Sequence, residues 1–343
     1  MKKTRVAING FGRIGRTFFR MAYEDQNIEI VAINDLGDIH NLAYLLEYDT
    51  AYGRSPYRVE VQEGALIVDG KKIICTSERE PLNLPWGRED VDVVVESTGV
   101  FTSYEKAKVH LDAGAKRVVI TAPVKDEEGG LGKTVLIGVN EADLEVCSIS
   151  SNASCTTNAA SPLVAILDTE IGIEKAILNT VHAYTASQAL VDGPSKKDMR
   201  EGRAAAQNIV PSSTGAAIAT TLVHTQLKDK FDGISIRVPV PVGSIIDITF
   251  IAKRDTTAEE VNTLLKKAAG SPEWQNIFAT TSAPLVSSDI IGARHASIAD
   301  LSFTRVVGGN LVKVLAWYDN ETSYTSTLIE HVRKIGLLLN ESH

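Results

Sequence analysis

Short apolar runs alternate with helical patterns through the first 150 residues. Arg5-Val6-Ala7-Ile8-Asn9 reads as a buried strand, and the helical period runs from about Arg13 to Tyr23. Ile28 to Ile33 is a second strand ending in Asn34-Asp35, followed by a helical stretch from Asn41 to Thr50. Arg58 to Ile74 alternates apolar and polar residues around Gly64 and Asp69-Gly70, which predicts a β-meander outside the parallel set. Asp92 to Glu96, Arg117 to Ile120 and Thr134 to Val139 are three further strands. A helix from Ser103 to Ala113, closed by Gly114, separates the first two. Strands alternating with helices predict a doubly wound sheet, and such sheets bind ligands outside the carboxyl ends of their strands.

The pattern then changes. Val146 to Ser150 reads as a strand and Ala159 to Leu167 as a helix with Pro162 inside it. The missing N–H of Pro162 deprives the Asn158 carbonyl of its intrahelical partner, which predicts a kink or a redirected carbonyl. Lys175 to Val181 is a strand, and Gln188 to Ala206 is polar enough for a long ordered loop. A helix from Ala216 to Leu227 follows Pro211-Ser212-Ser213-Thr214-Gly215. Ile234 to Pro239, Ser244 to Lys253, Ser297 to Val306 and Leu311 to Tyr318 are strands of a second sheet. The last helix, Thr322 to Leu339, sets Tyr324, Leu328, Val332, Ile335 and Leu339 on one face.

Composition narrows the class. The 343 residues are 44% hydrophobic and 23% charged, the make-up of an ordinary soluble protein of about two domains. A net charge of −8 with both signs interspersed argues against nucleic acid as the main partner. Three cysteines make no disulfide framework, so a reducing compartment is expected. Without a signal-like start or a long apolar run, a cytoplasmic protein with no membrane span is expected. The acidic residues show no metal-ligand spacing.

Two stretches carry chemistry. Gly10-Phe11-Gly12-Arg13-Ile14-Gly15 stands between a strand and a helix, with Asp35 at the end of the next strand. This is a dinucleotide fingerprint with its context in place. Gly10 permits the tight turn, Gly12 lets a pyrophosphate approach, and Gly15 lets the helix pack closely. Asp35 can accept from a ribose hydroxyl, which favours NAD over NADP, or can serve as a cap. Ser97, Thr98 and Thr121 lie at strand ends, as cofactor contacts or as turn chemistry. The second stretch is Ser151-Asn152-Ala153-Ser154-Cys155-Thr156-Thr157-Asn158. It places Cys155 at a strand-to-helix junction, where unpaired N–H groups are expected to lower a thiol pKa and to hold an oxyanion. Cys75 and Cys147, inside apolar runs, read as buried structural thiols.

Ala153-Ser154-Cys155-Thr156-Thr157-Asn158 resembles the active-site motif of the phosphorylating glyceraldehyde-3-phosphate dehydrogenases, and the likeness extends over nearly the whole chain. It implies an α/β protein with a Rossmann-type doubly wound dinucleotide domain (1–154 and 320–343). An α+β catalytic domain with a mixed or antiparallel sheet (155–319) would complete it. It implies phosphorylating oxidation of D-glyceraldehyde 3-phosphate with NAD and inorganic phosphate, in a homotetramer. Cys155 is then the nucleophile and His182, in His182-Ala183-Tyr184-Thr185, its base. From the residues alone His182 is equally a surface or core histidine. Gly10, Gly12, Arg13, Ile14, Gly15, Asp35, Arg79, Ser97, Thr98, Thr121 and Asn320 match cofactor-binding positions. Arg79 reads otherwise as a surface arginine, and Asn320 as a helix cap. Ser154, Thr156, Thr185, Thr214, Gly215 and Arg237 match phosphate-binding positions. By themselves Thr214-Gly215 could simply cap a helix, and Arg237 could face solvent.

The chain departs from the family pattern in places. Ala159 replaces a frequent second cysteine. Ser187 and Glu201 stand where one bacterial branch has aspartate and arginine. Ser323 stands where glycine is usual, at a cost if that position needs positive φ. Two rival readings are an enzyme of this fold oxidising erythrose 4-phosphate and a non-catalytic NAD-binding regulator.

Overall fold

Val6, Ala7 and Ile8 have no exposed surface, as a strand covered on both faces requires. They belong to β1 (Thr4–Asn9), which lies inside the first of two units into which the chain divides. The computed structural model describes residues 2–196 and 198–341. The first unit runs up to Ala153 and takes in the chain again from Thr325 onward; the second is Ser154–Tyr324.

After β1 come α1 (Arg13–Ala22), β2 (Ile28–Asn34), α2 (Ile39–Glu47) and a short pair, β3 (Tyr48–Asp49) with β4 (Gly53–Arg54). Next are β5 (Val59–Gln62), β6 (Ala65–Val68), β7 (Lys71–Thr76) and β8 (Val93–Glu96). Then follow α3 (Tyr104–Ala107), α4 (Val109–Asp112), β9 (Arg117–Ile120), β10 (Gly132–Thr134) and β11 (Ile149–Ser151). The sheet has the order β10-β11-β9-β8-β1-β2-β7-β6-β5. Its parallel core, β7-β2-β1-β8-β9-β11, is the doubly wound order, with the reversal beside β1.

Three local expectations are corrected. The meander β5-β6-β7 is antiparallel, but β7 also pairs parallel with β2, Ala32 opposite Ile74, so it belongs to the main sheet. The predicted strand from Thr134 to Val139 instead ends at Thr134. Asn140 takes the backbone groups a partner strand would have used: its Oδ1 accepts from Leu136 N–H and its Nδ2 donates to the Thr134 carbonyl. The helix expected from Ser103 to Ala113 is split into α3 and α4 at Lys108, still capped by the Ser103 hydroxyl and closed by Gly114 at φ +103°.

The second unit holds α5 (Cys155–Glu170), β12 (Ile173–Ala183), β13 (Val210–Ser213), α6 (Ala216–Val223) and β14 (Phe231–Val238). It continues with β15 (Ser244–Ala252), α7 (Ala258–Ala269), β16 (Phe278–Thr281), β17 (Ser297–Val307) and β18 (Leu311–Tyr318). The sheet order is β13-β14-β12-β15-β18-β17-β16, with β12–β14 and β16–β17 parallel and the other pairs antiparallel. The α+β unit with a mixed sheet is therefore as expected. Helix α5 runs through Pro162 without ending, and α6 stops four residues early, at Val223.

The last helix, α8 (Thr322–Glu341), returns the chain to the first unit. Leu328, Ile329, Val332 and Ile335 join the core formed by Val6, Ile8, Phe18 and Phe19. His331 on this helix is fully buried, 3.1 Å from Asn152 Oδ1 and 2.8 Å from Ser150 Oγ. Its neutral ring can satisfy both, donating to the amide oxygen and accepting from the hydroxyl. Burial lowers its pKa from 6.5 to about 3. The unfolded imidazole therefore takes up a proton before the folded one does. Stability is full above the unfolded value and falls as pH drops below it, by about 1.4 kcal/mol per unit. The urea midpoint of wild type should drop more between about pH 6.5 and about pH 5 than that of His331→Gln. Equal slopes would refute this role for the histidine.

Candidate active site

The Ser154 backbone is extended and its Oγ accepts from Thr157 N–H at 3.1 Å, so Ser154 is the N-cap of α5 and Cys155 its first residue. Ala153, just before it, is buried with φ +51°, a left-handed backbone that costs an L-residue roughly 1 kcal/mol. The half-buried Cys155 sulfur receives the N–H groups of Cys155 and Thr156. These are the unpaired donors that a helix N-terminus leaves.

His182 lies near the end of β12, and the parallel β12–β14 register puts it directly opposite Arg237. Its Nε2 is 3.3 Å from Cys155 Sγ, and its Nδ1 is 2.7 Å from the Ala183 carbonyl and 2.6 Å from Arg237 Nη1. Tyr318 supports the pair from β18. Its hydroxyl lies 2.8 Å from both Thr156 Oγ1 and Thr180 Oγ1, and its ring meets the His182 ring edge-on at 5.9 Å. Sequence reasoning missed Tyr318; the available signal was a tyrosine ending a strand apolar except for Lys313, before Asp319-Asn320-Glu321.

Burial, with the Arg237 cation second, lowers the His182 pKa to about 3, against a small upward pull from the Ala183 carbonyl. The ring is thus neutral near pH 7. The expected lowering of the Cys155 pKa is not what the fold produces. Burial raises it, outweighing the Arg237 charge, the Thr156 hydroxyl and the N–H groups that pull it down.

Among the residues matched to phosphate binding, Arg237 joins this cluster. It donates to Ala183 O at 3.2 Å, and its Nε is buried with no partner. Except for Thr156, whose partner Tyr318 lies 162 residues on, the others bond locally. The Thr156 hydroxyl is occupied by Tyr318, and the Ser154 hydroxyl caps α5. Thr214 Oγ1 accepts from Ala216 N–H at 3.1 Å, and Thr185 Oγ1 lies 3.2 Å from Ser187 Oγ. Gly215 precedes α6 with open space where a Cβ would stand. Glu201 accepts from Ser212. Ser323 has an ordinary backbone and carries no strain; its hydroxyl donates to Ala293 O at 2.8 Å. Asn320 Oδ1 accepts from Gly243 N–H at 3.0 Å, which leaves the donor end of that amide for other work.

In the first unit a cavity of about 420 Å³ opens at the carboxyl ends of β1, β2 and β8. Gly10, Gly12, Asp35, Arg79, Ser97 and Thr98 line it. A Cβ on Gly12 would meet nothing within 4 Å, so the backbone is bare toward the cavity, as close approach by a pyrophosphate requires. Gly15 backs onto the Gly10 carbonyl. The Ser97 hydroxyl donates to Gly10 O at 2.6 Å, and Asp35 Oδ2 accepts from Phe11 N–H at 2.6 Å; both hold the glycine turn. Arg13 instead pairs with Asp49 at 2.5 Å, and Thr121 bonds the Glu96 carbonyl. These residues fit a dinucleotide.

The floor of the cavity is a buried polar chain that sequence reasoning did not find. The Glu96 carboxylate accepts from Thr98 N–H, Asn9 Nδ2 and His110 Nε2, and Asn34 Nδ2 donates to Asn9 Oδ1. The Trp86 indole donates to His110 Nδ1, which leaves the His110 proton on Nε2. Gly10 is the sharpest test of the cavity. It has φ +91°, and a Cβ there would come within 2.6 Å of Thr98 N. Gly10→Ala should introduce about 2 kcal/mol of strain and weaken NAD binding on the order of tenfold or more. Unchanged affinity in a calorimetric titration would show that the cavity does not hold the cofactor.

Two family profiles match separate parts of the chain. The profile of the glyceraldehyde 3-phosphate dehydrogenase NAD binding domain matches residues 4–104, and that of the C-terminal domain matches residues 154–320. The chain is 48% identical over 338 residues to the glyceraldehyde-3-phosphate dehydrogenase of Borreliella burgdorferi, covering 96% of this chain and 99% of that protein. It is 48% identical over 335 residues to glyceraldehyde-3-phosphate dehydrogenase 2 of Streptomyces avermitilis, covering 97% and 98%. It is 46% identical over 328 residues to the Geobacillus stearothermophilus enzyme of the same name, covering 95% and 96%.

Proposed function

The chain belongs to the glyceraldehyde-3-phosphate dehydrogenase family, the NAD-dependent oxidoreductases of glycolysis, and we propose that Cys155 carries the reaction as a thioester while His182 moves its protons. The observation that carries this reading is the 3.3 Å contact between Cys155 Sγ and His182 Nε2 at the start of α5.

Cys155 loses its proton to His182 Nε2 and adds to the aldehyde carbon. The new oxyanion accepts from the Cys155 N–H and from His182 Nε2–H, and a hemithioacetal forms. His182 then takes the hydroxyl proton as hydride leaves that carbon. Gly10, Gly12, Arg13, Ile14, Gly15, Asp35, Arg79, Ser97, Thr98, Thr121 and Asn320 would hold NAD, which would supply the hydride acceptor. An oxygen of inorganic phosphate attacks the thioester, the Cys155 sulfur leaves, and 1,3-bisphosphoglycerate is formed. Arg237, Thr185, Thr214, Gly215, Ser154 and Thr156 position the two phosphates. The unpartnered Arg237 Nε supports this role, because a buried guanidinium donor needs an acceptor.

NADH formation from D-glyceraldehyde 3-phosphate and NAD should continue past one turnover only when inorganic phosphate is added. Sustained phosphate-free turnover would reject the acyl-phosphate route, and preferred turnover of erythrose 4-phosphate would move the specificity. No helix among the described residues is long and apolar enough to cross a membrane, and the three cysteines are free, in keeping with a cytoplasmic enzyme. A homotetramer is supported by a cavity of about 920 Å³ on the second unit, where exposed Ile177 and Ile218 lie beside Lys175 and Asp232. Light scattering tests that assembly; a monomer at working concentration would exclude it.

A further inference from the structure

We propose that Glu96 is a positioning residue for the cofactor: two arms of hydrogen bonds converge on its carboxylate, and through them it sets the turn at Thr98 and the loop that carries Arg79. The proposal rests on the cavity of the first unit holding NAD.

The last residues of four adjacent strands stand in one row. Glu96 of β8 is opposite Asn9 of β1, Asn9 is opposite Asn34 of β2, and Asn34 is opposite Thr76 of β7. Residues paired in this way share a face of the sheet, so their side chains meet. Asn9 Nδ2 donates to Glu96 Oε2 at 2.6 Å, and Asn34 Nδ2 donates to Asn9 Oδ1 at 2.8 Å. Asn34 Oδ1 accepts from Thr76 Oγ1 and from Glu78 N–H, each at 2.8 Å. Asn34 Nδ2 also reaches the Glu78 carbonyl at 2.9 Å, so one amide clamps both peptide groups of the residue before Arg79. The other arm starts at Trp86, whose indole donates to His110 Nδ1 at 3.2 Å. His110 Nε2 then donates to Glu96 Oε2 at 2.9 Å. The second carboxylate oxygen, Oε1, accepts from Thr98 N–H at 2.9 Å and from the Thr98 hydroxyl.

Along both arms each link donates toward Glu96, and only a group without donors can end them both. The carboxylate therefore orients the amides. Asn9 must turn Nδ2 to Glu96, which leaves its Oδ1 for Asn34. Asn34 must turn Nδ2 to Asn9, which leaves its Oδ1 for Glu78 N–H. The set of the Arg79 loop is thus decided two strands away.

Asn9, Asn34, Glu78, Arg79 and Thr98 line the cavity, whereas Glu96, His110 and Trp86 are buried and do not. Glu96 acts through its neighbours. A Cβ on Gly10 would come within 2.6 Å of Thr98 N, so the turn that Glu96 holds packs directly on the glycine turn. One buried group ties that turn to the Arg79 loop.

Glu96→Gln tests this in the full-length enzyme. The amide keeps the shape and puts two N–H donors in place of one oxygen. Whichever way it turns, those donors face either Thr98 N–H or the N–H groups of Asn9 and His110. NAD and ADP-ribose, which lacks the nicotinamide, are titrated by calorimetry, and KM for NAD and kcat are measured beside them. Both affinities should fall about tenfold and KM should rise to match, with kcat within about twofold of wild type. A variant that melts earlier but binds NAD within about twofold of wild type makes Glu96 structural only and overturns the proposal. Tighter NAD binding overturns it too, as does a loss in kcat at unchanged KM. Should Glu96→Gln not fold, Asn34→Ala breaks one arm and leaves the carboxylate in place. Arg79→Ala should then weaken ADP-ribose binding less in the Asn34→Ala background than in wild type, because its loop is already released. A loss as large in both backgrounds overturns the proposal. Gly10→Ala judges the cavity separately: if NAD affinity is unchanged there, the cofactor lies elsewhere, whatever Glu96 does.

Discussion

Replacing Cys155 by serine should lower turnover by about four orders of magnitude and leave NAD affinity unchanged. The two side chains differ little in size, so the start of α5 and its Ser154 cap should survive. What changes is the base strength the reaction demands. His182, with its pKa lowered to about 3 by burial and Arg237, is too weak a base to activate an alcohol. The Cys155 thiol, although burial raises its pKa, still ionises far more readily than an alcohol, and the N–H groups of Cys155 and Thr156 receive its anion. Steady-state NADH formation and a calorimetric NAD titration measure the two halves. A serine variant within tenfold of wild type would show that Cys155 is not the nucleophile. A non-catalytic regulator would keep its function in Cys155→Ala.

His182→Asn should cost on the order of 100- to 10,000-fold in kcat, again with NAD binding intact. Asparagine can still donate to an oxyanion, so the loss isolates proton transfer. Its sign with pH follows from the cysteine. Burial raises the Cys155 pKa, so the thiolate is scarce at neutral pH and grows as pH rises. In the asparagine variant nothing takes the thiol proton internally, and the residual rate should climb about tenfold per pH unit until that raised pKa is reached. The wild-type rate should rise less steeply. Measuring kcat/KM from about pH 6 to about pH 10 separates the two, and parallel profiles would remove His182 as the base.

Much of the first unit was legible because its signals are local. The glycine fingerprint depends on spacing within six residues, and each glycine does a separate steric job there: Gly10 at φ +91°, Gly12 facing open space, Gly15 against a carbonyl. Edges were harder. The strand expected through Val139 stops at Thr134 because a side-chain amide, Asn140, replaces the partner strand, and apolar periodicity does not register that substitution. The buried Glu96 chain was invisible for a related reason. A glutamate at a strand end looks solvated until Asn9, His110 and Trp86 close around it.

The sequence by itself determined the nature of the two sites. It placed a bare backbone turn between a strand and a helix, and it placed Cys155 at a helix start beside its Ser154 cap, since both depend on neighbours a few residues away. The tertiary structure decided how the second site behaves. Cys155 and His182 are 27 residues apart, and His182 and Arg237 are 55 apart. Only the β12–β14 register brings the arginine onto the ring. Only packing supplies the desolvation that lowers the histidine pKa and raises that of the cysteine, reversing the shift expected from the helix N-terminus alone. Burial and charge act through space, so a thiol's acidity belongs to the fold, while a glycine's freedom belongs to the residue.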